Sequence, residues 1–553
     1  MLRSPLESLT QVLDQVMGDS LLHVWSNQLD ALRVNPSPDD GASTSFQFDD
    51  ILLTVNGSER GQIKVNIPLV SPTQVYMLEQ GPNRLLISND PRLFPGCEKV
   101  DARAIYSLFQ FGAVVAPYCW WAEVAQLSPG YQHTISLQSF TRSCSPLLEE
   151  YGVSLRDFGS YRSEPNESEV VRVIDETLIS LCPNRNPVVL FSGGVDSGLL
   201  AARISSLGWR DARLIHLSFG PADPQSVFAR RMASHLGLDL DIVTYDAEVV
   251  KPLLQRLGEV YYAPFADHSV IPSFQLASYI GEQYREPRVV LDGTGADGAF
   301  GLSRKAMAWR KLYMLPYALR RCLASLYRWL YTSNSGAEYY LRLLRRSCQL
   351  PELLGAIATS ALREICFHAP AAVCDEVNLA VETLVPSEMS LDAGIKYCLL
   401  DLVVTCCRVF AQKMKPVFDQ SQIQVRYPYM TPRVLDYAFR TFHSPNNKLD
   451  KAHLKSALAR QVPHELVYRP KSGFVAPLQT SFRHPSFLQA LDEAIHAPGP
   501  FGEFLYLPSI AALRRRIDRG AALPTQAYTF LWSLVFGTKW HDQASKLFRS
   551  SEA

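Results

Sequence analysis

"VVLFSGGVDSGLL", Val188–Leu200, decides the fold. An apolar run, Val188–Phe191, reads as a fully buried strand, and the apolar pattern that resumes at Leu199 reads as a helix. Between them lie two glycines, two serines and one aspartate. Gly193 and Gly194 allow unusual dihedrals and close backbone approach. Successive N–H groups at a helix start favour an anion. Ser192 and Ser197 offer hydroxyls to phosphate oxygens, whereas Asp196 would repel a bare phosphate and makes sense as a ligand for a divalent cation. The turn lacks the GxxxxGK[ST] pattern of a Walker A loop and is not GxGxxG.

The surrounding pattern repeats this unit. "ARLIHLSFG" (212–220) is a strand, "QSVFARRMASHLG" (225–237) a helix ended by glycine, and "LDIVTYD" (240–246) a further strand. Strands alternating with helices of this length predict βαβ units and a doubly wound parallel sheet, with ligands beyond the carboxyl ends of the strands. "PRVVLDGTGADGAFG" (287–301) adds a strand and a second glycine turn carrying Asp292, Gly293, Thr294 and Asp297. Asp196 and Asp297, at the ends of neighbouring strands, could share Mg²⁺ and clamp a pyrophosphate. After Gly301 the chain reads as mostly helical. Residues 45–150 are strand-rich, with short β-prone runs such as "GQIKVNI" and "RLLISND" punctuated by Gly, Pro and Asn.

Composition sets the bounds. A chain of 553 residues, 47% hydrophobic and 20% charged, is globular and long enough for about two or three domains. Lys+Arg and Asp+Glu balance at 54 each, so bulk charge argues against a nucleic-acid binder. Acidic residues interrupt the N-terminal apolar positions, which argues against a signal peptide. No membrane span is expected, because no apolar run approaches about eighteen residues. Eleven cysteines without a CxxC pair read as reduced thiols of a cytoplasmic protein.

SGGVDS resembles the SGGxDS loop of ATP pyrophosphatases, and further stretches resemble the asparagine synthetase superfamily. These are "DGTGADGAFG" (292–301), "PFADHSVIPSF" (264–274), "QVRYPYMTPRVLDYAF" (424–439) and "KAHLKSALARQVPHELVYRPKSGFVAPL" (451–478). "LLISNDPRLF" with the segment 100–135 is similar to the second half of that superfamily's glutaminase domain. The resemblance implies an inactive, Ntn-hydrolase-like αββα domain over residues 1–155, a linker over 156–168, and a synthetase domain over 169–553. That last domain would be a doubly wound ATP-pyrophosphatase sheet with a helical C-terminal part.

The implied chemistry is attack of a carboxylate on the α-phosphate of ATP, followed by amide formation from the acyl-adenylate. Carried over by position, Ser192, Gly193, Gly194 and Ser197 hold pyrophosphate, and Asp196 and Asp297 bind Mg²⁺. Leu190 and Ser218 line the adenine and ribose side, and Asp292, Gly293 and Thr294 close over the nucleotide. Lys471, in "RPKSGF", matches the lysine that neutralises transition-state charge.

Two departures narrow the expectation. Position 2 is Leu where a working glutaminase of this kind exposes a cysteine whose α-amino group is the base. In the glycine loop, Thr294 and Gly298 stand where the superfamily has acids, and Thr294 cannot act as a base at neutral pH. The pattern is most like lasso-peptide cyclases, which close an Asp or Glu side chain of a precursor peptide onto its own N-terminal amine. That expectation brings a peptide substrate and a partner protease or leader-binding protein. The alternatives are a β-lactam-like or ammonia-dependent small-molecule synthetase, and a catalytically silent scaffold. From Arg310 to Arg346 eight Lys/Arg face one acid, Glu338. This is either a solvated helix face or a docking surface for an acidic peptide or partner.

Overall fold

Val188 and Val189 are fully buried and Leu190 partly so, as befits a strand sandwiched between helices, and everything around the site is organised on this strand. The computed structural model describes residues 10–17, 20–26, 33–36, 43–48, 51–56, 62–80, 84–136, 141–150, 153–155, 166–284, 289–301, 366–389, 391–442, 451–469 and 478–551, with 314–316, 318–319 and 322. The strand β1 (Val188–Leu190) pairs in parallel with β2 (Arg213–Ser218) on one side and β4 (Val289–Leu291) on the other. Outside these lie β3 (Asp239–Thr244) beside β2 and β5 (Gln424–Arg426) beside β4, so the spatial order is β3-β2-β1-β4-β5. All four pairings are parallel, and the order reverses direction at β1, which puts a crevice between β1 and β4.

Helix α1 (Glu167–Leu181) starts on an Asn166 N-cap that accepts from Ser168 N. It thus begins inside the span read from sequence as a linker, whose residues 156–165 lie outside those described. Helix α2 (Val195–Ser206) follows β1, and Gly208, at φ 75°, closes it through its N–H to Ser205 O. Helix α3 (Pro224–Leu236) begins at an Asp223 cap with Pro at its first turn and ends at left-handed Gly237. The asymmetry of proline at one end and glycine at the other fixes both boundaries.

The N-terminal part carries two large sheets, besides a two-stranded pairing of Glu149–Glu150 with Val153–Ser154. One orders Thr10–Met17, Ser20–Ser26, Arg84–Ser88, Tyr76–Glu79 and Ala125–Gln126; the other orders Arg142–Pro146, Tyr131–Ser136, Gln62–Ile67, Ile51–Asn56, Ser43–Phe48 and Arg33–Pro36. Gln62–Ile67 shows how sequence sets the faces: Ile63, Val65 and Ile67 alternate inward and are fully covered. These sheets share a core with the C-terminal part. Trp120 meets Trp540 edge-on at 5.6 Å, and Phe109 packs on Phe530 at 5.1 Å. Arg92, ion-paired to Asp90, donates to the carbonyls of Gly258 and Glu259 at 2.7 Å each. Such a buried pair is tolerated because its remaining donors are satisfied.

Among the described residues no helix is long and apolar enough to cross a membrane, and none of the ten described cysteines forms a disulfide. The basic segment 310–346 falls, apart from 314–316, 318–319 and 322, outside the described residues.

Candidate active site

Two glycine turns meet where β1 and β4 end. In the first, Gly193 takes φ 69° and lies against α3 so closely that a Cβ there would sit 3.0 Å from the Cα and N of Ala229. Only glycine meets both demands. Gly194 is the N-cap of α2, which leaves Asp196 in the first turn, at the positive end of the helix dipole. Ser197 Oγ accepts from Ser192 N at 3.2 Å and lies 3.1 Å from Ser192 Oγ, which in turn accepts from Gly194 N. Ser197 is buried and Ser192 exposed, so Ser192 presents the loop's hydroxyl outward.

In the second turn Asp292 accepts from both the N–H and the hydroxyl of Thr294, at 2.8 and 2.9 Å. Burial pushes the Asp292 carboxyl up, with these hydrogen bonds and Lys413 opposing. Gly293 brings this turn onto the first: a Cβ there would contact the Cβ of Asp196 at 3.4 Å. The chain then enters a π-helical turn, Asp297–Gly301, a geometry that often marks functional positions. A Cβ on Gly298 would fall 2.7 Å from Leu402 Cδ2, so Leu402 of the segment Asp401–Phe410 lies where a side chain at position 298 would begin.

One cation joins the two turns. Lys451 Nζ lies 2.5 Å from Asp196 Oδ2 and 2.9 Å from Asp297 Oδ1. Its side chain is only 8% exposed, against 28% for Asp196 and 53% for Asp297. Burial pulls the ammonium's pKa down, but the two carboxylates more than offset it, and the group ends above its ordinary value. Lys451 precedes the helix Ala452–Ala459 in a left-handed conformation, φ 58°, with its N–H donating to Phe300 O at 2.9 Å. Tyr429, fully buried, donates its hydroxyl to the backbone carbonyl of Asp196 at 2.8 Å.

Arg469 braces the first turn from the far side. It donates to Gly193 O and to Gln225 Oε1, both at 2.8 Å, and lies 4.2 Å over the Phe228 ring.

The residues expected from sequence therefore divide. Ser192, Gly193, Gly194, Asp196, Ser197, Asp292, Gly293, Thr294 and Asp297 come together in the crevice. Leu190 and Ser218 lie at the carboxyl ends of adjacent strands, with Ser218 buried and bonded to Gly220 O and Ser226 Oγ. Lys471 lies outside the described residues. Lys451, Tyr429 and Arg469 were not singled out from sequence, although all three sit in the stretches 424–439 and 451–478. The signal available for Lys451 and Arg469 was that a cation opens "KAHLK" and another stands two residues before Lys471.

Among the described residues no group of three or more His, Cys, Asp or Glu is arranged to hold a metal alone. Asp196 and Asp297 form a donor set of two carboxylates against one ammonium. It fits a hard divalent cation that takes its other ligands from water and a bound phosphate, which is the usual manner of Mg²⁺.

Residues 184–542 match the family model described as asparagine synthase. Curated relatives described as "Putative asparagine synthetase (glutamine-hydrolyzing)" occur in Mycobacterium bovis (strain ATCC BAA-935 / AF2122/97) and in Mycobacterium tuberculosis strains CDC 1551 / Oshkosh and ATCC 25618 / H37Rv. Each is 26% identical over 371 residues, 63% of this chain and 53% of the relative. The chain thus spans about half the length of the curated relatives it matches.

Proposed function

Because the chain belongs to the asparagine synthase family, we propose that it forms an amide bond with ATP through an acyl-adenylate, and that this amide closes a peptide ring. The carboxylate would be an Asp or Glu side chain of a precursor peptide and the amine that peptide's own N-terminus. The observation that carries the reading is the pair of glycine turns, with Asp196 and Asp297 brought together at their junction through Lys451.

In the first step a carboxylate oxygen attacks the α-phosphorus, the bond to the bridging oxygen breaks, and pyrophosphate leaves with the electron pair. Ser192, Gly193, Gly194 and Ser197 hold that leaving group through N–H and hydroxyl donors at the α2 N-terminus. Asp196 and Asp297 would hold Mg²⁺, which supplies charge neutralisation on the phosphate oxygens. Leu190 and Ser218 would line the adenine and ribose side, and Asp292, Gly293 and Thr294 close over the nucleotide. In the second step the amine nitrogen bonds to the acyl carbon, the acyl–oxygen bond breaks, and AMP departs. The amine's proton passes to solvent or to the departing phosphate. Lys471 would neutralise charge in both transition states.

The peptide reading is favoured by what this loop lacks. Thr294 is spent on Asp292, and position 298 is Gly packed on Leu402. Neither supplies the carboxylate needed to take a proton from incoming ammonia. An amine delivered on the substrate itself meets this demand by proximity. The names of the mycobacterial relatives favour a second reading, a small-molecule synthetase making asparagine. We place the protein in the cytoplasm, where ATP is supplied, with a protease or leader-binding protein as partner.

The test is incubation of the full chain with ATP, Mg²⁺ and a short acidic peptide encoded beside its gene. A product lighter than the linear peptide by one water, with one AMP per ring, supports the reading. Asparagine from aspartate and ammonia, with the peptide unchanged, would establish the second reading instead.

A further inference from the structure

Lys451 is built into its position at some cost. A left-handed lysine is sterically unfavourable and persists only where the surroundings impose it. Here the N–H bond to Phe300 O imposes it, and the result is to aim the ammonium between Asp196 and Asp297. Gly301 completes the arrangement. A Cβ there would lie 2.7 Å from Asp297 Oδ1 and 3.1 Å from Lys451 Cε, so any larger residue would push the two apart. Three separate features, a strained lysine, a glycine vacated for it and a bridge between two loops, serve one contact.

We propose that Lys451 is a resident counter-cation that holds the Asp196–Asp297 pair closed and makes divalent-metal binding conditional on nucleotide. This rests on the reading of these carboxylates as the metal's ligands. A metal ion arriving alone has to displace the ammonium from both acids. The ammonium is buried and would be left without a counter-ion, which is costly. A metal arriving on a polyphosphate brings the replacement anions with it: the ammonium moves onto phosphate oxygens as the metal takes the carboxylates. Metal and nucleotide therefore bind with positive coupling, and by linkage each raises the other's affinity by the same factor. Couplings of this kind are about 5–150-fold. The consequence is a site that stays closed to free divalent ions and opens for the metal–nucleotide complex.

Mn²⁺ titration of the full chain, followed by the spin-resonance signal of the free ion, tests this. With wild type, Mn²⁺ affinity should rise by roughly tenfold or more when α,β-methylene-ATP is present. Lys451→Met should bind Mn²⁺ alone at least about tenfold tighter than wild type and lose most of the coupling, whereas Lys451→Arg should behave as wild type. Equal Mn²⁺ affinity of wild type with and without the analogue would overturn the proposal, and that measurement needs no variant. So would a well-folded Lys451→Met that gains no affinity. Analogue binding is read separately by displacement of a fluorescent nucleotide. Failure of wild type to bind any nucleotide would contradict the amide-synthetase reading, while the Lys451→Met arm would still decide the role of the lysine.

Discussion

Replacing Gly193 by alanine puts one methyl group where the structure has no room for it. At φ 69° an alanine is strained by roughly 1–2 kcal/mol. Its Cβ would lie 3.0 Å from the Cα and N of Ala229 and 3.3 Å from the Cβ of Ala229. Carbon contacts relax to about 3.5–4.0 Å, so the turn and α3 must separate by about 0.5–1 Å. The neighbour is helix backbone, which cannot swing aside, and overpacking of this kind costs about 1–3 kcal/mol. Arg469, bonded to Gly193 O, ties the turn from the other side. The sum is a destabilisation of about 2–5 kcal/mol, or a loop displaced by that fraction of an ångström. A displacement near 1 Å at a site that positions a ligand can cost about a hundredfold in function. Gly194→Ala is the control, because its φ is −79° and its Cβ would meet only Ser192 Oγ, at 3.2 Å. Urea unfolding and displacement of a fluorescent ATP analogue read the two effects. Gly193→Ala should lose stability or at least about tenfold in nucleotide affinity, and Gly194→Ala should stay within about 1 kcal/mol of wild type. If the two variants match each other in both measurements, the packing argument for the turn is wrong.

Gly298→Ala should cost about 1–3 kcal/mol through Leu402, and a double-mutant cycle with Leu402→Ala should show a coupling of about 1 kcal/mol or more; additive effects would mean that Leu402 does not fill the vacated space. His133 supplies a pH test. It is buried, its Nε2–H donates to Ser128 O at 2.8 Å, and its Nδ1 has no hydrogen-bond partner among the described residues. Burial pushes its pKa down to about 4. The neutral form is thus favoured by folding, so this stability is present above pH 6.5 and is lost as pH falls toward 4, by about 3 kcal/mol in total. Urea midpoints at pH 7 and pH 4.5 should differ less in His133→Gln than in wild type, and an unchanged difference would assign the acid sensitivity elsewhere.

The parallel sheet was legible because Val188–Leu190, Arg213–Ser218 and Val289–Leu291 are apolar runs, and because Gly208 and Gly237 close the helices between its first three strands in sequence. β5 carried no such signal. Gln424–Arg426 is three residues with one apolar side chain, recognisable only as part of a longer stretch resembling a known superfamily. The conformation of the first glycine turn was legible from residue type, since Gly193 at φ 69° and Asp196 in a first helical turn follow from Ser-Gly-Gly-Val-Asp-Ser after a strand. Lys451 was not. It reaches Asp196 across a sequence separation of 255, and a lysine opening a helix is by composition an ordinary surface charge. Its role depends on a left-handed backbone and on Gly301, neither of which has meaning until the chain is folded. Thr294 read as an absence in the sequence; folded, it caps Asp292 and stiffens the turn.

Pyrophosphate exchange into ATP measures the central claim, that these two turns form an adenylating site. With an acidic peptide and Mg²⁺, labelled pyrophosphate should appear in ATP with wild type. It should not appear without the peptide, nor with Asp196→Ala at unchanged thermal stability. Exchange that persists in Asp196→Ala, or ATP cleaved to ADP and phosphate with no exchange, would contradict the account.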